Sequence, residues 1–221
     1  MRLNESTILV GEDIFLVPYR KEHVPRYHEW MQSPALQVAT ASEPLSLEEE
    51  YKMQKTWHLD EDKLTFIVLA RRPSPSSPRA KAPADLTDGM IGDVNVFLSR
   101  LDEGEGDDKT SPLQGELEVM IAESSQRRKG CATQALQLLI SYVCGPPLSL
   151  SPLNLLARVG MGNGSSTKMF EKLGFEVVKE VVVFQELEMR LRSKGALEVM
   201  ADNVSQITKA VTDANDSNDA P

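Results

Sequence analysis

The chain has 221 residues, 41% of them hydrophobic and 26% charged, enough for one mid-sized globular domain with appendages. Its 24 basic and 33 acidic side chains leave a net charge of −9, which argues against nonspecific nucleic-acid binding and against an anionic membrane surface. Two cysteines and three histidines without metal-ligand spacing exclude a disulfide framework and give no metal site.

Cys131 and Cys144 fall on one predicted helix and cannot bond to each other. No long apolar run follows Met1 to Glu5, and nothing approaches the ~20 apolar residues of a membrane span. The expectation is a reduced intracellular compartment, the cytoplasm with the nucleus also open. His23, His28 and His58 are expected on helix surfaces rather than as ligands.

In chain order, Ile14 to Val17 is a short apolar run that reads as a first strand. His23, Val24, Tyr27, Trp30 and Met31 follow at helical spacing, and Ser33-Pro34 ends that helix. Ser46-Leu47-Glu48-Glu49 is a capping box that opens a second helix. Thr65 to Leu69 is a buried strand. Arg71 to Asp88, rich in Pro, Ser, Ala and charge, reads as a flexible insertion.

Met90 to Leu98 is the next strand, Leu101 to Gln114 a flexible Gly- and Asp-rich hairpin loop, and Gly115 to Ala122 the returning strand. The helix predicted from Lys129 places Ala132, Ala135, Leu136, Leu139, Ile140 and Val143 on one face, and Gly145-Pro146-Pro147 stops it. Leu153 to Val159 is a strand, Ser165 to Leu173 a short helix, and Phe175 to Val178 and Val181 to Leu191 two more strands. Residues 194–221 read as a weak helix (Leu197, Met200, Val204, Ile207) that offers a surface to a protein partner, then a disordered acidic tail. The fold class is α/β, a single domain over residues 1–193 with a mixed twisted sheet of about seven strands and about four helices.

The segment Gln126-Arg127-Arg128-Lys129-Gly130-Cys131-Ala132 lies where a central strand passes into its helix. Backbone N–H groups converge there, and the helix dipole adds roughly half a positive charge, which suits a phosphate or pyrophosphate. Glu116 and Glu118 alternate with Leu117 and Val119, so their carboxylates share one face of the strand.

Arg127-Arg128-Lys129-Gly130-Cys131-Ala132 resembles the R-x-x-G-x-G/A pattern of the GNAT family of N-acetyltransferases, placed as that family places it. Asn163 with Met169-Phe170-Glu171-Lys172-Leu173-Gly174-Phe175 is similar to the family's downstream block. The resemblance covers Ile14 to Leu191. Val17-Pro18-Tyr19, the run from His23 to Met31, Ala41 to Leu45 and Gly92 to Leu98 resemble one eukaryotic branch of it.

This resemblance implies acetyl-CoA as acetyl donor, no metal, and a protein or peptide amine as acceptor, attacked directly in a ternary complex. The pyrophosphate would lie on the turn and helix start formed by Arg127, Arg128, Lys129, Gly130, Cys131, Ala132 and Thr133. The pantetheine arm would run beside Met120, Ile121 and Ala122, where the sheet splays, and Asn163 would reach the cofactor or cap the short helix. Glu118 would be the general base, with Glu116 beside it, and a backbone N–H near Met120 or Ile121 would face the oxyanion. Many members carry a tyrosine at the place of Phe170 to protonate the leaving thiolate. A thiol of pKa near ~8.5 leaves readily without it. A second reading stays open: a protein-binding scaffold with this fold and little transferase activity.

Overall fold

The computed structural model describes residues 2–71, 85–101, 111–192 and 209–211. Its elements run β1 (Thr7–Val10), β2 (Ile14–Pro18), α1 (Val24–Met31), α2 (Pro34–Ala39), α3 (Leu47–Leu59), β3 (Lys63–Ala70), β4 (Met90–Arg100) and β5 (Leu113–Ile121). The second half adds α4 (Cys131–Cys144), β6 (Leu155–Gly160), α5 (Gly164–Lys172), β7 (Phe175–Val181), β8 (Glu186–Leu191) and β9 (Lys209–Val211). All nine strands form one sheet in the order β7-β8-β6-β5-β4-β3-β2-β1-β9. Every neighbouring pair is antiparallel except β5 and β6.

The sheet divides its side chains by the two-residue alternation of a strand. One face meets α4 and α5: Phe66, Val94, Val96 and Leu117 pack on Leu136, Leu139 and Val143, and the Phe170 ring meets Phe175 edge-on at 5.3 Å between centroids. The other face meets the N-terminal helices, with Phe15, Val17, Ile67 and Met120 against Val24, Tyr27 and Trp30. Each such aliphatic or aromatic side chain contributes about 1.5–3 kcal/mol by leaving water. The predicted apolar face of α4 is buried from Ala135 onward; Leu138 and Tyr142 join it, and Ala132 at the first turn is half-buried.

Local chemistry explains the ends of the elements. Ser46 caps α3 as predicted: its hydroxyl oxygen accepts from the Glu49 N–H, and the Glu49 carboxylate accepts from the Ser46 N–H at 2.8 Å. Pro34 both ends α1 and starts α2, because proline at the first helical position gives up no internal hydrogen bond. The helix predicted from Lys129 starts at Cys131 instead, since Gly130 holds a left-handed φ of 84°. Leu113 and Gln114, expected in the hairpin loop, already belong to β5.

Three expectations need correction. His23 is fully buried rather than on a helix surface. The Arg20 N–H donates to its Nδ1 at 2.9 Å, which leaves the proton on Nε2, 3.0 Å from the Leu86 carbonyl. The sheet has more strands than expected because β1 and β9 extend its edge beyond β2. Within residues 194–221, read as helix and tail, Lys209–Val211 is a strand whose backbone pairs with the edge of β1. The rest of that segment, the core of the 71–88 insertion and most of the 101–114 loop lie outside the described residues. No helix among the described residues is long and apolar enough to cross a membrane.

Candidate active site

The parallel pair β5–β6 is short. Its register holds only at Gly115 with Leu155 and Glu116 with Leu156, after which the two strands part. β5 continues to Ile121 with its other edge on β4, through Glu118 opposite Asn95, Met120 opposite Asp93 and Ile121 opposite Gly92. A Cβ on Gly92 would stand 1.9 Å from the Met120 carbonyl oxygen, so only glycine allows this approach. That contact also shows that Met120 turns its backbone toward β4. By strand alternation, Val119 and Ile121 turn theirs into the gap left by β6. Of the two backbone positions expected to face the reaction, the structure therefore selects Ile121; the Met120 side chain packs under α1.

The turn after β5 is shaped by backbone and by one arginine. Arg127 folds back onto the strand end, donating from Nε to the Ile121 carbonyl at 2.8 Å and from Nη2 to the Ala122 carbonyl at 3.0 Å. Its guanidinium thereby holds the shape of the turn that was expected to receive the cofactor. Arg128 and Gly130 both adopt positive φ, 63° and 84°. Gly130 then serves as the N-cap of α4 without any side-chain cap, and its carbonyl accepts the first helical bond from Gln134. The amides of Cys131, Ala132 and Thr133 have no acceptor within the helix. A Cβ on Gly130 would meet nothing within 4 Å, so these donors open onto free space.

Cations flank that space. The Arg128 Nη1 lies 3.5 Å from the Ser165 hydroxyl, linking the turn to the first residues of α5, and Lys129 reaches Gln126. The Cys131 thiol is buried, and burial pushes its pKa up, so only its backbone is offered. Asn163 is the N-cap of α5, its Oδ1 accepting from the Ser166 N–H at 3.1 Å. An open groove of about 580 Å³ borders the turn on the β3–β4 side, away from the gap, among Asp13, Arg71, Met90, Glu123 and Lys129.

The two carboxylates do share a face, and their surroundings separate them. Glu116 is ion-paired with Arg158 of β6, which belongs to a network with Glu188 and Arg190 of β8. Glu118 has no hydrogen bond or ion pair among the described residues, and solvent reaches it from the open side. Its side chain is exposed at that side, yet the protein packed around the rest of the carboxyl withholds part of its solvation; this desolvation first, then the charges of Glu116, Asp93 and Glu186, push the carboxyl up to about 7. A carboxylate poised there is free to take a proton near neutral pH.

Asp93 and Asn95 carried no site assignment from the sequence. Asp93 is 2% exposed and Asn95 5% exposed, on the same face as Glu118. The Asn95 Nδ2 donates to the Asp93 Oδ2 at 2.7 Å, and burial raises the Asp93 pKa to about 7. Tyr19 also belongs to this face: it stacks against Tyr27 at 5.4 Å and lies within electrostatic reach of Glu50 and Asp93.

An acetyltransferase (GNAT) domain model matches residues 13–176. The chain belongs to the GNAT acetyltransferase family. A human protein named alpha/beta-tubulin-N-acetyltransferase 9 is 48% identical over 192 residues, 86% of this chain and 86% of the human one. Among solved structures, spermidine N-acetyltransferase from Vibrio cholerae with CoA and spermine superposes with a TM-score of 0.61 at 14% identity, covering 81% of this chain and 94% of that one. The ribosomal L7/L12 alpha-N-protein acetyltransferase gives 0.58 at 13% identity, with 84% and 93% covered; at such identities these likenesses show the fold. Family and sequence relatives make the chain an acetyl-CoA-dependent N-acetyltransferase.

Proposed function

We infer that the acceptor is a protein amine, the N-terminal α-amine of a tubulin chain, and that Glu118 is the base that takes its proton. The observation that carries this reading is the contrast between the carboxylates: Glu116 is neutralised by Arg158, while Glu118 stands unpaired beside the gap in the field of further acids. The acceptor class comes from the human relative's name, and an acidic cleft suits an amine that arrives as an ammonium. The cytoplasm, where tubulin is found, is the proposed place of action.

The site fits acetyl-CoA, which supplies the thioester carbonyl. The free amides of Cys131, Ala132 and Thr133 would receive the pyrophosphate above Gly130, with Arg128 and Lys129 flanking it and Arg127 holding the turn in shape. Ile121 lines the gap, with Met120 packed beneath it and Ala122 held to β4 by its N–H on the Ile91 carbonyl at 2.8 Å, and the Ile121 N–H is the donor for the thioester carbonyl oxygen. Asn163 fixes the start of α5 at the other wall. Phe170 is 3% exposed and packed in the core, so no acid is supplied there; the thiolate leaves unaided. The order is fixed: the amine gives its proton to Glu118 and attacks the thioester carbonyl directly, the C–N bond forms, and only then does the C–S bond break to release the thiolate, with no covalent enzyme intermediate.

Calorimetry with acetyl-CoA on the parent and on Gly130→Glu, followed by mass spectrometry of tubulin N-termini after incubation, tests this. Binding by the parent alone, with acetyl appearing on tubulin, is expected. Turnover on a small polyamine but not on tubulin would reassign the acceptor. Cofactor binding without turnover on any amine would leave a scaffold.

A further inference from the structure

On the face of the sheet that carries Glu118, five buried side-chain atoms have no hydrogen-bond partner among the described residues: Tyr19 Oη, Glu50 Oε2, Thr65 Oγ1, Asp93 Oδ1 and Asn95 Oδ1. They come from five places in the sequence and meet in one. Thr65 of β3 stands opposite Asn95 of β4, and Asn95 stands opposite Glu118 of β5, which makes one polar row across three strands. Tyr19, just beyond β2, continues that row, and α3 closes it with Glu50 and with Gln54, whose Nε2 donates to the Tyr19 carbonyl at 3.1 Å. The Tyr27 ring lies among these groups, within electrostatic reach of Asp93, Tyr19, Glu50 and Glu118.

The well is short of positive charge. The Asn95 Nδ2 is spent on Asp93, which leaves its Oδ1 an acceptor, and Asp93 and Glu50 each keep a free oxygen. The hydroxyls of Tyr19, Tyr27 and Thr65 bring protons and no charge. The nearest base, His28, has its Nδ1 at 3.9 Å from the other oxygen of Glu50. Two buried carboxyl groups are costly to ionise without a donor of positive charge beside them. A primary ammonium brings three N–H donors and one charge. The mouth of the well is Glu118, and Asp93 stands opposite Met120, one residue from the Ile121 that faces the gap.

We propose that this well, with Asp93 at its centre, is the seat of the acceptor's ammonium group, and that it gives the enzyme its preference for primary amines. Asp93 and Asn95 hold the ammonium until Glu118 takes its proton. The proposal rests on the protein-amine reading above.

The test is a binding cycle in the presence of CoA. A synthetic peptide from the N-terminus of β-tubulin, with a free α-amine, is compared with its desamino analogue by fluorescence anisotropy on the parent and on Asp93→Asn. The parent should prefer the amine by roughly ten- to a hundredfold, the worth of a hydrogen-bonded charge. Asp93→Asn should bring the two affinities together while leaving the desamino peptide and acetyl-CoA bound as before. Tyr19→Phe, which removes one oxygen and no charge, should reduce the preference several-fold, and it decides the matter if Asp93→Asn has lost acetyl-CoA binding through misfolding. A preference that survives in the folded variant overturns the proposal and leaves the protein-amine reading standing. Failure of the parent to bind either peptide removes both.

Discussion

Gly130→Ala separates conformation from ligand binding at the turn. The added Cβ meets no atom within 4 Å, so the change has no steric cost in the protein itself. What remains is the left-handed backbone at φ 84°, which costs a non-glycine residue about 1–2 kcal/mol, offset in part by the lower conformational entropy of alanine in the unfolded chain, about 0.4–1 kcal/mol. A net loss of about 1 kcal/mol should lower Tm by about 2–4 °C in a chain of this length. The same Cβ projects into the space the pyrophosphate would take, so acetyl-CoA affinity should fall by about tenfold or more. Differential scanning calorimetry reads the first effect and isothermal titration the second. Gly145→Ala, at the far end of α4 with φ −86° and ordinary contacts at 3.4 Å, serves as the control and should leave affinity unchanged. A fall in Tm without a loss of affinity would refute the placement of the phosphates above Gly130.

Other perturbations report on separate parts of the site. Glu118→Gln should slow turnover about 10²- to 10⁴-fold with acetyl-CoA affinity intact; in the parent, kcat/KM should climb with pH and level off above about 7, and the variant should lack that limb. Asp93 carries a stability signature of its own. Its pKa rises from 3.8 to about 7 on burial, so its contribution is fully present below about 4 and lost as pH rises through 7, up to about 4 kcal/mol. Denaturant midpoints should therefore fall between about pH 4 and pH 7 in the parent and fall less in Asp93→Asn. Phe170→Tyr should bring no gain in rate, because the ring is in the core, and should cost about 1–3 kcal/mol for a buried hydroxyl without a partner; a faster enzyme would show that the family's acid can be restored there.

The parts of this molecule that obey local rules were legible. The capping box at Ser46, the apolar face of α4 and the glycine at the turn each follow from spacing of a few residues, and each stands where its spacing implied. What was hidden depended on which surface covers which. Asp93, Asn95 and Phe97 alternate with Val94 and Val96, which reads as one core face and one solvent face. Alternation distinguishes two faces without saying whether α1 and α3 will lie over the polar one, so two buried residues of the candidate well carried no site assignment. His23 was missed for the same reason, its partners being a neighbouring backbone and a carbonyl 63 residues away. The motif marks Arg127 as part of the cofactor turn, but that its guanidinium bonds to the Ile121 and Ala122 carbonyls depends on how the chain folds back after β5, which spacing does not show.

One geometric event accounts for the difference between Glu116 and Glu118. β6 stays with β5 as far as Leu156, opposite Glu116, and from there Arg158 reaches the Glu116 carboxylate. Beyond that pair the strands part, and Glu118, two residues further along the same face, meets no cation. The parting that exposes the Ile121 backbone to a ligand is thus the same parting that leaves a carboxylate without its counter-charge. Moving the end of the β5–β6 ladder forward by two residues would close the gap and neutralise the base together. An unpaired acid beside buried Asp93 costs stability, and replacing such groups by apolar ones is often stabilising. Their position at the mouth of the gap, rather than elsewhere on the sheet, is what a site selected for taking a proton from an incoming amine requires.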